Sequence, residues 1–460
     1  MRTATLLPED GLQAYGSPLA SYSATGRLIL SSGRVVDCQF VAGQLETGKI
    51  FLLCAAPDPP LELRLRVVPP SSFEGTMADG IELKTVGELT ETNYLPDSPS
   101  NGRAFRVQHL EIVQPRPSNR RNLTYLLTNV TGLQSVVSFS EGDFTLHLKP
   151  LDDSARNTKR IEVLRSVLPT ATIETTTTTP LTEVEQAVDD TCDLLSLALG
   201  TRVEWILREE ARENCLRIYH SSRITKRYCP LSVIENDTHA ISDYLRQAMG
   251  GRFRRERERI GMTRAVLNTY LDAKSESDFL QVRALKLVIA VEMLKAEYMK
   301  VASASSFVVD SECFRSAKPR LKKALKEAFK NAEKDEREAL YANLEGLNRT
   351  PFRRQLEDLC GAARMPIAPG ELERFVASRN KLVHYGLFYF ETATESEKAK
   401  IPPLPNLQEE FLWLLHFVDR LFLRSVDYEG PYLDWSIPNG PRPAFLSRGP
   451  IASISSHSVG

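Results

Sequence analysis

The sequence predicts an α+β chain of several domains: a β-rich, sandwich- or barrel-like N-terminal domain, a small α/β middle segment and an all-helical C-terminal bundle. Three observations carry this. The chain has 460 residues, more than one core ordinarily organises. Up to about residue 170, apolar residues alternate in short runs broken by Gly, Pro, Asn, Asp and Ser, the period-two pattern of strands. Beyond about residue 262 they recur every three or four positions, the period of helices packed on one face.

In order, "GRLILSS", "DCQFVAG", "KIFLLCAA", "LELRLRVV" and "FTLHLK" read as strands, and "FEGTMADGIELKT" carries an Asp79-Gly80 tight turn. "ATIETTTTTP" reads as a linker or as the last edge of the β domain, closing a first domain over residues 1–178. Thr182 with Glu185 forms a capping-box pattern opening the helix "EVEQAVDDTCDLLSLALG", which Gly200 ends. "RVEWIL" and "CLRIYHSSR" follow as strands, so residues 179–261 form an α/β segment, either a domain or an extension of the β part. Helices are expected near 262–273, 276–302, 311–346, 351–363, 370–386 and 405–427, a bundle over 262–428. The tail, 429–460, is rich in Pro, Gly and Ser and reads as irregular.

Composition narrows the function. With 42% apolar and 25% charged residues and a net charge of −1, the chain has no overall basic field, so any nucleic-acid contact needs a local patch. One candidate is the third helix of the bundle, with Arg315, Lys318, Arg320, Lys322, Lys323, Lys326 and Lys330; it is either a solvated face or a phosphate-attracting surface. The seven cysteines are scattered without a C-x-x-C, which fits a reducing cytoplasm better than a disulfide framework or zinc ribbon. No apolar run approaches a membrane span, and the start lacks a signal-peptide core. Nucleotide-loop, metalloprotease and nucleophile-elbow motifs are missing, and the seven histidines do not cluster, so neither metal nor cofactor is expected.

One helix breaks its own pattern. In "ERFVASRNKLVHYG", Leu372, Phe375, Val376, Leu382 and Val383 share an arc of about 120° with Arg379 near its middle. Asn380 and His384 lie on the shoulder. In "RALKLVIAVEMLKAEY", Glu292 similarly interrupts a stripe of Leu285, Val288, Ile289 and Ala296. An unpaired buried charge is costly, so Arg379 and Glu292 are expected to meet, and breaking a buried pair would cost about 3–5 kcal/mol. Such a pair could serve only to fix helix register, or it could hold the guanidinium beside His384 for chemistry.

Arg379-Asn380-x-x-x-His384 resembles the R-[NDH]-x-x-x-H signature of HEPN domains, helical bundles many of which are metal-independent endoribonucleases. The layout as a whole resembles the large ApeA-like HEPN proteins of abortive infection. The resemblance implies a HEPN-like bundle and a homodimer in which Arg379 and His384 of two copies line one cleft, supported by Asn380 and Glu292. It also implies cleavage of RNA, tRNA included, by attack of the 2′-hydroxyl in antiphage or stress defence. The β-rich half would sense a phage-derived trigger or a regulatory protein. Two other readings remain: a non-catalytic dimerising or nucleotide-binding scaffold, and a ligand-binding β module with a helical oligomerisation domain.

Overall fold

The computed structural model describes Gln13 and residues 16–449, apart from 58–59, 61–68, 78–79, 93–101, 116–121, 165, 213–214, 222–230, 250–251, 276–277, 303–306 and 438–439. The chain forms two compact units. One comprises Met1–Gly251 with Lys274–Ser277 and Pro431–Leu433; the other comprises Arg252–Ala273, Asp278–Gly430 and Asp434–Gly460.

The first unit is built on one antiparallel sheet. Strands β1 (Pro18–Leu30), β2 (Val35–Leu45), β3 (Ile50–Ala55), β4 (Pro70–Thr76), β5 (Glu82–Glu91) and β6 (Gly102–Pro115) run in the order β3-β2-β1-β4-β5-β6. Pairing of β3 with the first half of β6, Ile50 opposite Val107 through Ala55 opposite Gly102, closes them into a six-stranded barrel. Alternate residues point inward, so Leu28, Phe40, Leu52, Phe73, Phe105 and Ile112 fill the interior. Phe40 and Phe73 meet edge to face at 4.7 Å. Two glycines make room for them: a Cβ on Gly26 would lie 2.3 Å from the Phe73 ring, and one on Gly75 would lie 2.5 Å from Phe40. Gly80 takes φ +78° and donates to the Met77 carbonyl at 3.0 Å, while Asp79 of the expected tight turn lies outside the described residues.

The second half of β6 stays paired with β5 on one side and pairs on the other with β12 (Cys215–Ser221). The sheet then continues through β11 (Glu204–Arg212), β7 (Asn122–Thr128), β10 (Pro169–Thr176), β9 (Phe144–Pro150) and β8 (Val137–Glu141). The stretch "ATIETTTTTP" is therefore neither linker nor edge. Its first part is β10, with β7 on one side and β9 on the other. Likewise β11 and β12 extend the N-terminal sheet, so this part of segment 179–261 belongs to the first unit.

The same unit holds α1 (Ser154–Leu164), α2 (Leu181–Leu199) and α3 (Thr238–Ala248). Helix α2 ends at Gly200, φ +66°, as expected, but the Thr182–Glu185 capping box does not form. Pro180 occupies the N-cap position, which shifts Thr182 into the first turn, and Glu185 instead pairs with Arg208 on β11. The segment "LELRLRVV" and the final "IASISSHSVG" lie outside the described residues.

The second unit is helical: α4 (Arg252–Ile260), α5 (Arg264–Lys274, to Ala273), α6 (Leu280–Val301), α7 (Ser311–Ala328), α8 (Lys334–Asn343), a 3-10 turn (Leu344–Asn348), α9 (Phe352–Ala362), α10 (Glu371–Tyr385), short α11 (Tyr389–Thr392) and α12 (Glu395–Lys398), and α13 (Leu407–Ser425). The single helix expected over 311–346 is two helices. The chain turns after Phe329, and α8 restarts after Glu333, whose backbone N–H donates to the Glu336 carboxylate at 3.0 Å. Leu287, Val291 and Leu294 of α6 pack in the core with Leu414, Phe417 and Leu421 of α13. Tyr270 donates to Asp419 at 2.5 Å and stacks on Phe422. The tail read as irregular contains β13 (Gly430–Asp434) and β14 (Arg442–Leu446), which pair as a two-stranded ribbon.

Candidate functional site

Helix α10 is bracketed by two glycines in the left-handed region, Gly370 (φ +78°) and Gly386 (φ +69°), which set its length. Its buried face is formed by Leu372, Phe375, Ser378 and Leu382. This corrects the expected stripe: Val383 is 43% exposed, and the polar residue inside the buried face is Ser378, with Arg379 at its rim. Ser378 can be buried because it donates to the Glu410 carboxylate at 2.6 Å. Glu410 is itself 2% exposed and accepts from the backbone amides of Tyr389 (3.0 Å) and Phe390 (2.8 Å). One buried carboxylate on α13 thus pins both α10 and the chain that leaves it.

Arg379 and Glu292 do meet. Nε and Nη2 of the guanidinium donate to Glu292 Oε1 at 2.9 and 2.6 Å, and Nη1 donates to Asn380 Oδ1 at 2.9 Å. Of the five N–H groups of the guanidinium, these bonds use three. The other two, one on each terminal nitrogen, make no hydrogen bond among the described residues. The pair is a boundary feature, with the side chains 22% and 27% exposed. Glu292 does not centre an apolar stripe either, because the buried residues of α6 include Ala284, Leu287, Val288, Val291 and Leu294, while Ile289 and Ala296 are exposed. Helix α6 is apolar around most of its circumference, so several arcs look alike in sequence; packing selects the one facing α13.

Two members of the cluster were not anticipated. Lys295, one turn beyond Glu292, donates to its Oε2 at 2.9 Å. Phe352, the first residue of α9, presents its ring to both cations, 4.9 Å from the Arg379 guanidinium carbon and 4.7 Å from Lys295 Nζ. Burial pushes the Glu292 carboxyl up, but the hydrogen bonds and charges of Lys295 and Arg379 outweigh it and hold the group below its ordinary value. Two cations on one carboxylate leave the cluster one positive charge in excess. The i,i+3 spacing of Glu292 and Lys295 was the legible signal for Lys295; nothing in the sequence marked Phe352.

Asn380 and His384 are both exposed. They stand four residues apart on one face of α10, whereas Arg379 is turned about 140° from His384 around an ideal helix. Within the chain the structure joins Arg379, Asn380 and Glu292, but gives His384 no hydrogen-bond or ion-pair partner among the described residues. Around His384 the surface is apolar: Val383, Tyr385, Leu387 and Phe390 are each more than a third exposed. Among the described residues, no group of three or more His, Cys, Asp or Glu is placed to hold a metal ion. No helix there is long and apolar enough to cross a membrane. Comparison with protein-family models, curated proteins and solved structures returns no match for this chain.

Proposed function

We propose that the protein is a metal-independent endoribonuclease of HEPN type, acting in antiphage or stress defence, with Arg379 and His384 as its catalytic residues. One observation supports this most: a partly exposed arginine, its guanidinium fixed by a carboxylate yet retaining free N–H groups, shares a short helix with a solvent-facing histidine. Strand cleavage by the 2′-hydroxyl requires a proton to leave that group and another to reach the 5′-oxygen. An imidazole can perform either transfer, and a guanidinium can bind the phosphate and the charge added in the transition state. Glu292, Lys295 and Phe352 hold the guanidinium; Asn380 links it to the face that carries His384. Because Arg379 and His384 diverge on their own helix, the complete site is assembled from two copies, with the apolar surface around His384 buried between them.

Expression of the wild type and of His384→Ala in growing cells tests the reading. The wild type should arrest growth and fragment RNA, and the variant should do neither. Equal behaviour of the two folded proteins would rule it out. In that case the exposed apolar surface beside His384 favours a dimerising scaffold instead.

A further inference from the structure

None of the residues of helix α7 is buried. It carries six Lys and Arg against two Glu in a chain whose net charge is −1. Arg315, Lys318, Lys322 and Lys326, spaced by three, four and four residues, fall within about 80° of the helix circumference and form a stripe about 16 Å long. Arg320, Lys322, Lys323 and Lys326 make no ion pair with a carboxylate among the described residues, whereas the cations of the site are paired. Lys322 rests over the ring of Tyr341 on α8, 4.8 Å away.

The arm formed by α7 and α8 is closed at its base. Phe307 pairs with Arg349; Val308 donates to the Asn348 carbonyl at 2.8 Å; and the Asn348 side chain bonds both ways with the backbone of Val309, at 2.9 and 3.0 Å. From Arg349, at most about 10 Å of chain leads to Phe352, the ring beneath Arg379. The other root is α6, the helix of Glu292 and Lys295.

We propose that α7 is the arm that binds the phosphate backbone of single-stranded RNA and delivers it to the Arg379–His384 site; this rests on the ribonuclease reading above. Arg320, Lys322, Lys323 and Lys326, without carboxylate partners among the described residues, suit a polyanion, which cations bind by releasing its counterions, without regard to sequence. An anionic membrane is the poorer fit. An interfacial helix needs a bulky apolar face, and of the three such side chains on α7, Phe314 and Leu325 are half-buried and only Leu321 is exposed.

The test uses the full-length chain in the His384→Ala background, so that bound RNA stays whole, with a labelled unstructured RNA oligonucleotide and fluorescence anisotropy over a salt series. Arg315→Gln, Lys322→Gln and Lys326→Gln are combined, glutamine keeping the helix. Affinity should fall about 30-fold at low salt, and the slope of log K against log salt should flatten by about 2. A control, Arg246→Gln with Lys300→Gln, should change neither. No RNA binding at low salt, an unchanged slope, or an equal loss in the control overturns the proposal. So does loss of binding to phosphatidylserine vesicles with RNA binding intact. If RNA binding depends on α7 while the wild type leaves RNA uncut, the arm stands and the nuclease reading fails.

Discussion

Glu292 should matter more to folding than the arginine it holds. Its carboxylate accepts three charged hydrogen bonds, two from Arg379 and one from Lys295. Bonds of this kind contribute about 1.5–3 kcal/mol when buried, but about a quarter of the Arg379 and Glu292 side chains remains in water, which weakens each. Glu292→Ala also leaves two cations facing each other over Phe352. Together these put its cost at about 2–3 kcal/mol. Arg379→Ala leaves Glu292 paired with Lys295 and should cost about 1 kcal/mol, with a coupling between the two sites of about 1 kcal/mol. Both values lie below the 3–5 kcal/mol of a fully buried pair. The assay is urea unfolding followed by circular dichroism in the helical band, with the transitions of the two units fitted separately. Since the Glu292 carboxyl is held below its ordinary value, its contribution is complete above the unfolded-state value and is lost as the pH falls through the lower folded-state one. Equal costs for the two single variants, or a double variant that is simply additive, would refute this account of the cluster.

Three further outcomes follow from buried groups. His220 is buried against Tyr22 and Gln44, and burial lowers its pKa from 6.5 to about 4. The neutral ring is the folded form, so the unit that contains it should be fully stable above pH 6.5 and lose about 3 kcal/mol as the pH falls to about 4; thermal unfolding against pH should show this slope diminished in His220→Gln. Glu410→Ala removes the acceptor of two backbone amides and of Ser378, and should cost about 3 kcal/mol while opening the chain after Tyr385 to limited proteolysis. Arg424, fully buried, donates to the Tyr428 carbonyl and to Asp427; Arg424→Met should cost about 3–5 kcal/mol in urea, because it breaks the buried Arg424–Asp427 pair.

The sequence made the elements legible where pattern and punctuation agree. The strand Phe144–Pro150 alternates cleanly and Ile50–Ala55 is a continuous apolar run, and Gly200, Gly370 and Gly386 end or bracket helices because only glycine takes their positive φ without strain. Pairing partners were not legible. The stretch "ATIETTTTTP" looks like a linker in isolation, yet its first part, to Thr176, is an interior strand because β7 and β9 lie either side of it. The Arg379–Glu292 contact could be inferred because two charges interrupted two apolar helices. Its depth could not, since on helices with many apolar residues the buried arc is chosen by neighbours that the sequence does not order. Phe352 and the Ser378–Glu410 bond needed three dimensions, as both depend on residues more than twenty positions apart.

The most direct test of the central claim is the chemistry of the cut. Purified protein is incubated with RNA in excess EDTA, and the product ends are read by mass spectrometry. The account predicts fragments with 2′,3′-cyclic phosphate and 5′-hydroxyl ends from the wild type and none from folded His384→Ala or Arg379→Ala. Intact RNA, ends bearing 3′-hydroxyls, or the same fragments from either variant would contradict it.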